Sequence, residues 1–168
     1  MIFALRLAHV LFGVFWVGSV LFIAILLMPS VRAAGPAAGA VMAQLAQRKM
    51  SLIMMGTAFV TIASGVWLMM LVSAGAPGAW MRSGMGRTIS LGAALSILTL
   101  VFGMAVNAPT ATRIGAINQA VGKRGGPPTP DEAAQLARLQ ARLGISSRVV
   151  AVLLVLATAT MAVARYVP

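Results

Sequence analysis

Residues 2–28, IFALRLAHVLFGVFWVGSVLFIAILLM, form one apolar run in which Arg6 and His9 are the only ionisable side chains. It is longer than any ordinary strand and exceeds the roughly 20 helical residues that cross a bilayer. Three more runs approach that length: 51–73, 88–106 and 145–164. Backbone polar groups cannot be left unpaired in hydrocarbon, so each run is expected to be a helix. The pattern predicts an all-α integral membrane protein, a four-helix bundle forming a single domain over residues 1–168. Its spans are about 2–28, 51–73, 88–106 and 145–164. No repeat of 20–50 residues is evident.

Composition agrees, with 60% hydrophobic and 9% charged residues. Arg6 ahead of the first run and Val31-Arg32-Ala33 after it loosely resemble a signal peptide, but the run is too long for a signal core. There is no cysteine, which removes disulfides, thiolate metal sites and covalently attached heme. Asp131 and Glu132 are the only acids. A paired-carboxylate mechanism, a carboxylate-rich metal site and a Ser–His–Asp triad at membrane depth are thereby excluded. The net charge of +11 comes from residues lying between apolar runs, so it reads as topology signal and attraction to anionic lipid. Nothing suggests a nucleic-acid interface.

Nine basic residues fall on one side: Arg32, Arg48, Lys49, Arg113, Lys123, Arg124, Arg138, Arg142 and Arg148. Four, Arg6, Arg82, Arg87 and Arg165, fall on the other. The positive-inside rule puts connections 29–50 and 107–144 in the cytoplasm and both termini outside. Pro29 is expected to stop helix one, and Asn107-Ala-Pro109 helix three. Residues from Ala37 onward are good helix formers, so helix two is expected to start early. Ala74 to Arg87 reads as a loop, with Trp80 at the interface. Gly125-Gly126-Pro127-Pro128 is a breaker. Thr129-Pro-Asp-Glu132 is a capping box that opens a short amphipathic helix in the third connection. Its Leu136, Leu139 and Leu143 stripe predicts a surface helix, a docking site for a partner, or a run-in to helix four.

Arg6, His9, Gly13, Trp16 and Val20 share a face of helix one, at steps of three and four. Small and hydroxyl residues permit close approach and bridging hydrogen bonds between membrane helices. They mark the stripes Met50, Met54, Thr57, Thr61, Ser64 on helix two and Thr88, Gly92, Ser96, Thr99, Gly103, Asn107 on helix three. Thr158, Ala162 and Arg165 offer a weaker stripe on helix four. These stripes are expected to meet inside the bundle.

His9 is the sharpest chemical candidate, because an ionisable group at membrane depth is costly. It is expected about 10 Å below the outer surface, counting the helical rise from Ile2. There it either ligates heme iron or copper, relays protons, or hydrogen-bonds a Ser, a Thr or a backbone carbonyl. A single histidine excludes a bis-histidine heme within one chain. Thioethers suit Cu(I), and Met81 and Met85 are the pair to consider, although methionine is also a common filler of apolar space. Arg6 and Arg87 are expected to flank any cofactor near His9, as partners for propionates or anionic head groups, with Trp16 on the same face.

The stretch LAHVLFGVFWVGSVLF, with His9 and Trp16-Val-Gly18, is followed by Arg48-Lys49 and TIASGVWLMM. Together these resemble the copper-resistance-D-like small bacterial membrane proteins and, more distantly, the HemJ-type membrane protoporphyrinogen oxidases. The resemblance covers helices one and two. It implies a bundle of four to five helices in the bacterial inner membrane; with the positive-inside reading, both termini are then expected to be periplasmic. The heme-oxidase branch implies that His9 ligates heme, and the copper branch implies metal handling on the periplasmic side. The chain departs from both in lacking a second histidine, which favours cofactor binding over catalysis. One reading is therefore heme b or copper held near His9. The alternative is a non-catalytic accessory subunit, without a cofactor, packed in a homo-oligomer or a larger respiratory or photosynthetic membrane complex.

Overall fold

Two prolines expected to stop helices sit inside them. A computed structural model describes the backbone of residues 1–168, and the side chains of all but residues 36, 37, 39, 40, 43 and 46. The chain is 90% helical, with no strand among the described residues. Helix α1, Ile2–Phe22, passes through a wide π-turn, Ile23–Leu27, into α2, Met28–Ala34. A short arm, α3, Gly39–Gln47, precedes α4, Met50–Val72. One helical turn, α5, Pro77–Trp80, leads to α6, Gly84–Phe102. A second π-turn, Gly103–Asn107, joins α6 to α7, Ala108–Arg124, and α8 is Pro130–Val163. Four of the resulting helices, Ile2–Ala34, Met50–Val72, Gly84–Arg124 and Pro130–Tyr166, are long and apolar enough to cross a membrane.

Proline breaks helices because it lacks an N–H and its ring meets the carbonyl four residues back. The π-turns remove both problems. One extra residue lets Met28 N–H reach back to the Ile23 carbonyl, and Ala108 N–H to that of Gly103. Pro29 and Pro109 then fall in a first helical turn, where the missing N–H is tolerated. The next residue donates its hydroxyl one turn back in both places: Ser30 to Leu26 O at 2.7 Å, and Thr110 to Val106 O at 2.6 Å. The early start of helix two is also only partly realised. Lys49 adopts φ 54°, a left-handed conformation that breaks α3 from α4.

The closest helix pairs are α1 with α4 and α6 with α8, two antiparallel hairpins. The hairpins meet where α8 touches α1 and where α4 touches α6. The core consists of Trp16, Val20, Ala24, Ala58, Val150, Ala151 and Leu154. The stripes expected on helices one, two and three face inward: Thr57, Thr61, Ser64, Gly92 and Thr99 are buried. Apart from a long 3.5 Å contact of Ser64 Oγ with His9 Nδ1, their hydroxyls do not bridge helices. Each donates to a carbonyl of its own helix, Thr57 to Met54 O (2.9 Å), Thr61 to Thr57 O (2.8 Å) and Thr99 to Leu95 O (2.8 Å). These residues serve close approach by being small and self-satisfied.

Helix four turns the other way. Its buried face is Ser146, Ser147, Val150, Ala151, Leu154 and Ala157, while Thr158, Ala162 and Arg165 are exposed. Thr158 can face outward because its hydroxyl is satisfied by Leu154 O at 2.8 Å. In the third connection only residues 125–129 are not helical. The capping box forms as expected: Thr129 Oγ1 accepts from Glu132 N–H, and Glu132 accepts from Thr129 N–H at 2.8 Å. The amphipathic helix runs without a break into helix four and packs on α7. Leu136, Leu139 and Leu143 are its half-buried positions, as Ile114, Ile117 and Val121 are those of α7. The leucine stripe therefore closes a helical hairpin instead of lying free on a surface.

Candidate functional site

His9 sits two turns into α1, half-buried against α4. Gly13, one turn further along, brings the two backbones together: a Cβ there would lie 3.4 Å from Thr61 Cγ2. The imidazole Nδ1 is 2.8 Å from the backbone carbonyl of Thr61. A carbonyl only accepts, so Nδ1 carries the proton and donates. In the neutral ring the lone pair is then on Nε2. Ser64 Oγ lies 3.5 Å from Nδ1, but its proton goes to Val60 O at 2.6 Å. The ring rests on Gly65, where an added Cβ would stand 2.8 Å from Cε1 and 3.1 Å from Nδ1. Any side chain at Gly65 would push the imidazole away.

A histidine anchored through Nδ1–H to a carbonyl, with Nε2 left as a base, has the arrangement that orients metal-ligating histidines. The hydrogen-bonding reading of His9 is met by the Thr61 carbonyl, and the same geometry leaves Nε2 without a partner among the described residues. Toward a cofactor the chain would offer one imidazole nitrogen. Among the described residues no three His, Cys, Asp or Glu side chains come together. Further ligands to a metal at His9 would be thioethers, non-protein groups or donors of another chain.

The other candidates are dispersed. Trp16 is two turns deeper, 5% exposed, and fills the core against Ala58 and α8. Arg6 is exposed one turn above His9. Arg87 is exposed in the first turn of α6, whose main packing partners are α8 and α4, not α1. Among the described residues neither guanidinium makes a hydrogen bond. Met81, 39% exposed, ends α5, and Met85, half-buried, starts α6. They lie on either side of a tight turn, where a Cβ at Gly86 would stand 3.0 Å from Met81 Cα. Gly65 was missed by sequence reasoning. Its signal was the Ser64-Gly65 step inside an apolar helix, one turn from Thr61 on the side that helix one approaches.

No protein-family model matches the chain, and no curated protein or solved structure matches it.

Proposed function

We propose that the protein spans the bacterial inner membrane four times as a helical bundle and holds heme b or copper through His9 Nε2. Both termini and the His9 end of the bundle face the periplasm in this reading. The observation that supports it is the 2.8 Å bond from His9 Nδ1–H to Thr61 O, which leaves Nε2 as the nitrogen open to a ligand. The outward helix faces support membrane insertion. Phe3, Val14, Phe59 and Ile145 are each more than 60% exposed, a display that water would penalise and lipid would not. The resemblance of helices one and two to copper-resistance-D-like and HemJ-type proteins supports the choice of cofactor. A bound metal would act as a redox centre or a cargo ion. The chain's own part is to fix one imidazole, exclude water with apolar helix faces, and offer Arg6 as a partner for an anionic group.

The test is an absorption spectrum with metal analysis of the detergent-purified protein and of His9→Ala. Stoichiometric heme or copper in the wild type, lost in His9→Ala, upholds the proposal. Colourless, metal-free wild type refutes it and leaves the accessory-subunit reading. That reading predicts co-purification of larger membrane partners in mild detergent.

A further inference from the structure

A second site lies at the opposite end of the first hairpin. Helix one buries Trp16, Val20 and Ala24 in the core, but its neighbouring face, from Phe15 to Leu27, borders an apolar groove of about 610 Å³. The base of α4, with Ile53 and Met54, forms the second wall. The third is α3, which folds back after the left-handed break at Lys49. It presents Val41 and Leu45 to the groove, and Arg48 in the turn just after it continues the same face. The π-turn contributes Ile23 and Leu27, as wide turns often do at binding sites.

Shape and charge name the occupant. From Phe15 to Leu27 the helical rise gives a length of about 18 Å. Along that length the lining is apolar apart from Ser19 and Arg48, a surface suited to extended hydrocarbon. At the mouth, Arg48 and Lys49 are both exposed. The only two carboxylates of the side chains, Asp131 and Glu132, start α8, and Glu132 is already paired with Arg124 at 2.6 Å. Among the described residues neither Arg48 nor Lys49 has a carboxylate partner, so both are open to an external anion.

We propose that the groove binds one anionic phospholipid, with an acyl chain along Phe15–Leu27 and its phosphate on Arg48 and Lys49. This rests on the membrane-spanning reading above and is independent of His9. Gly18 makes it testable. It lines the groove, and a Cβ there meets nothing within 4 Å, so a bulky residue fills the groove without displacing protein.

The experiment is native mass spectrometry of the full-length detergent-solubilised protein, titrated with dioleoylphosphatidylglycerol or dioleoylphosphatidylcholine. The wild type is expected to retain phosphatidylglycerol about tenfold better than phosphatidylcholine. Gly18→Phe should lower retention of both lipids about tenfold. The pair Arg48→Gln, Lys49→Gln should abolish the preference and keep the weaker binding. Equal retention of the two lipids by the wild type, or undiminished phosphatidylglycerol on Gly18→Phe, overturns the proposal. If circular dichroism shows Gly18→Phe unfolded, Arg48→Glu at an exposed position decides: a surviving preference overturns the proposal, and a lost one upholds it. A lipid-free dimer that Gly18→Phe dissociates also overturns it and gives the groove to a second copy. Failure of the underlying reading shows separately, as release of the protein from membranes by alkaline carbonate.

Discussion

The two hairpins are built on the same device and differ in what they do with it. Ile23–Leu27 and Gly103–Asn107 are π-turns of equal length, and each is followed by a helical residue, a proline and a hydroxyl. Every one of these positions recurs 80 residues later, starting from Phe22 and Phe102. The hairpins diverge on either side of the device. The first carries His9 toward its open end and a short arm, α3, at the other. The second has Ile89 where the spacing would put a counterpart of His9, and it extends its far end into the α7–α8 hairpin. The first hairpin holds the single histidine and the second the long extension, around a shared way of carrying a proline through a helix.

Gly92 and Gly65 are the close-approach points of the two hairpins, and substituting them tests the contrast most severely. A Cβ at Gly92 would lie 2.7 Å from Met161 Cγ, 2.8 Å from Thr160 Oγ1 and 3.1 Å from the Ala157 carbonyl. Because backbone is among the obstacles, Gly92→Val should cost about 3 kcal/mol, read as a lower thermal midpoint in detergent. Gly65→Ala meets only the His9 ring, so about 1–2 kcal/mol is expected. The same change in a His9→Ala background should cost close to nothing. A double-mutant cycle showing no coupling between residues 9 and 65 would contradict the described contact.

The second hairpin's extension gives two smaller effects. Thr129→Ala removes one half of the capping box and should cost about 1 kcal/mol of local helix stability, seen as faster amide exchange over residues 130–136. The last is a pH effect. Hydrogen bonds from Arg124, and then from Thr129 N–H, hold the Glu132 carboxyl down at about 2. A depressed carboxylate contributes stability that is complete above its unfolded value, near 4.5, and is lost as pH falls toward 2. Amide protection factors at the start of α8, corrected for intrinsic exchange, should therefore fall between those values and stay flat above about pH 5. Glu132→Gln should flatten the profile. The first hairpin, without a side-chain carboxylate, should show no such step.

Much of this was legible in the sequence because it depends on local chemistry. Four apolar helices, the Gly125–Pro128 break and the Thr129–Glu132 box each follow from a few adjacent residues. The inward stripes on helices one to three follow from small and hydroxyl residues at helical spacing. What failed depended on register. Pro29 and Pro109 are helix breakers only if the turn before them is an ordinary one, and a π-turn leaves little mark in composition. Its trace was the repeated Phe, Pro and hydroxyl at fixed spacing, at a period too long to notice. Helix four misled because Thr158 looked like a contact residue while its hydroxyl was already satisfied by Leu154 O. At the site, His9, Thr61 and Ser64 were named, but the fit of the ring on Gly65 needed three dimensions. Arg6 and Trp16 were grouped with His9 by helical phase, and Arg87 by lying on the same side of the membrane, which says nothing of depth or of which neighbour a helix takes.

Arg32 reaches out of the first hairpin to donate to Gln140 O at 2.7 Å, and its guanidinium occupies the space a side chain at Gly144 would need. Gln140 lies in α8 where it leaves the core and continues into the basic extension. The contact is therefore a strut between the short-armed half and the long-armed half, set at the base of a lever. From Gln140 back to Pro130 the helical rise puts the Gly125–Pro128 turn about 15 Å beyond that strut. A side chain at Gly144 would displace the Arg32 guanidinium and undo the tie between the two halves.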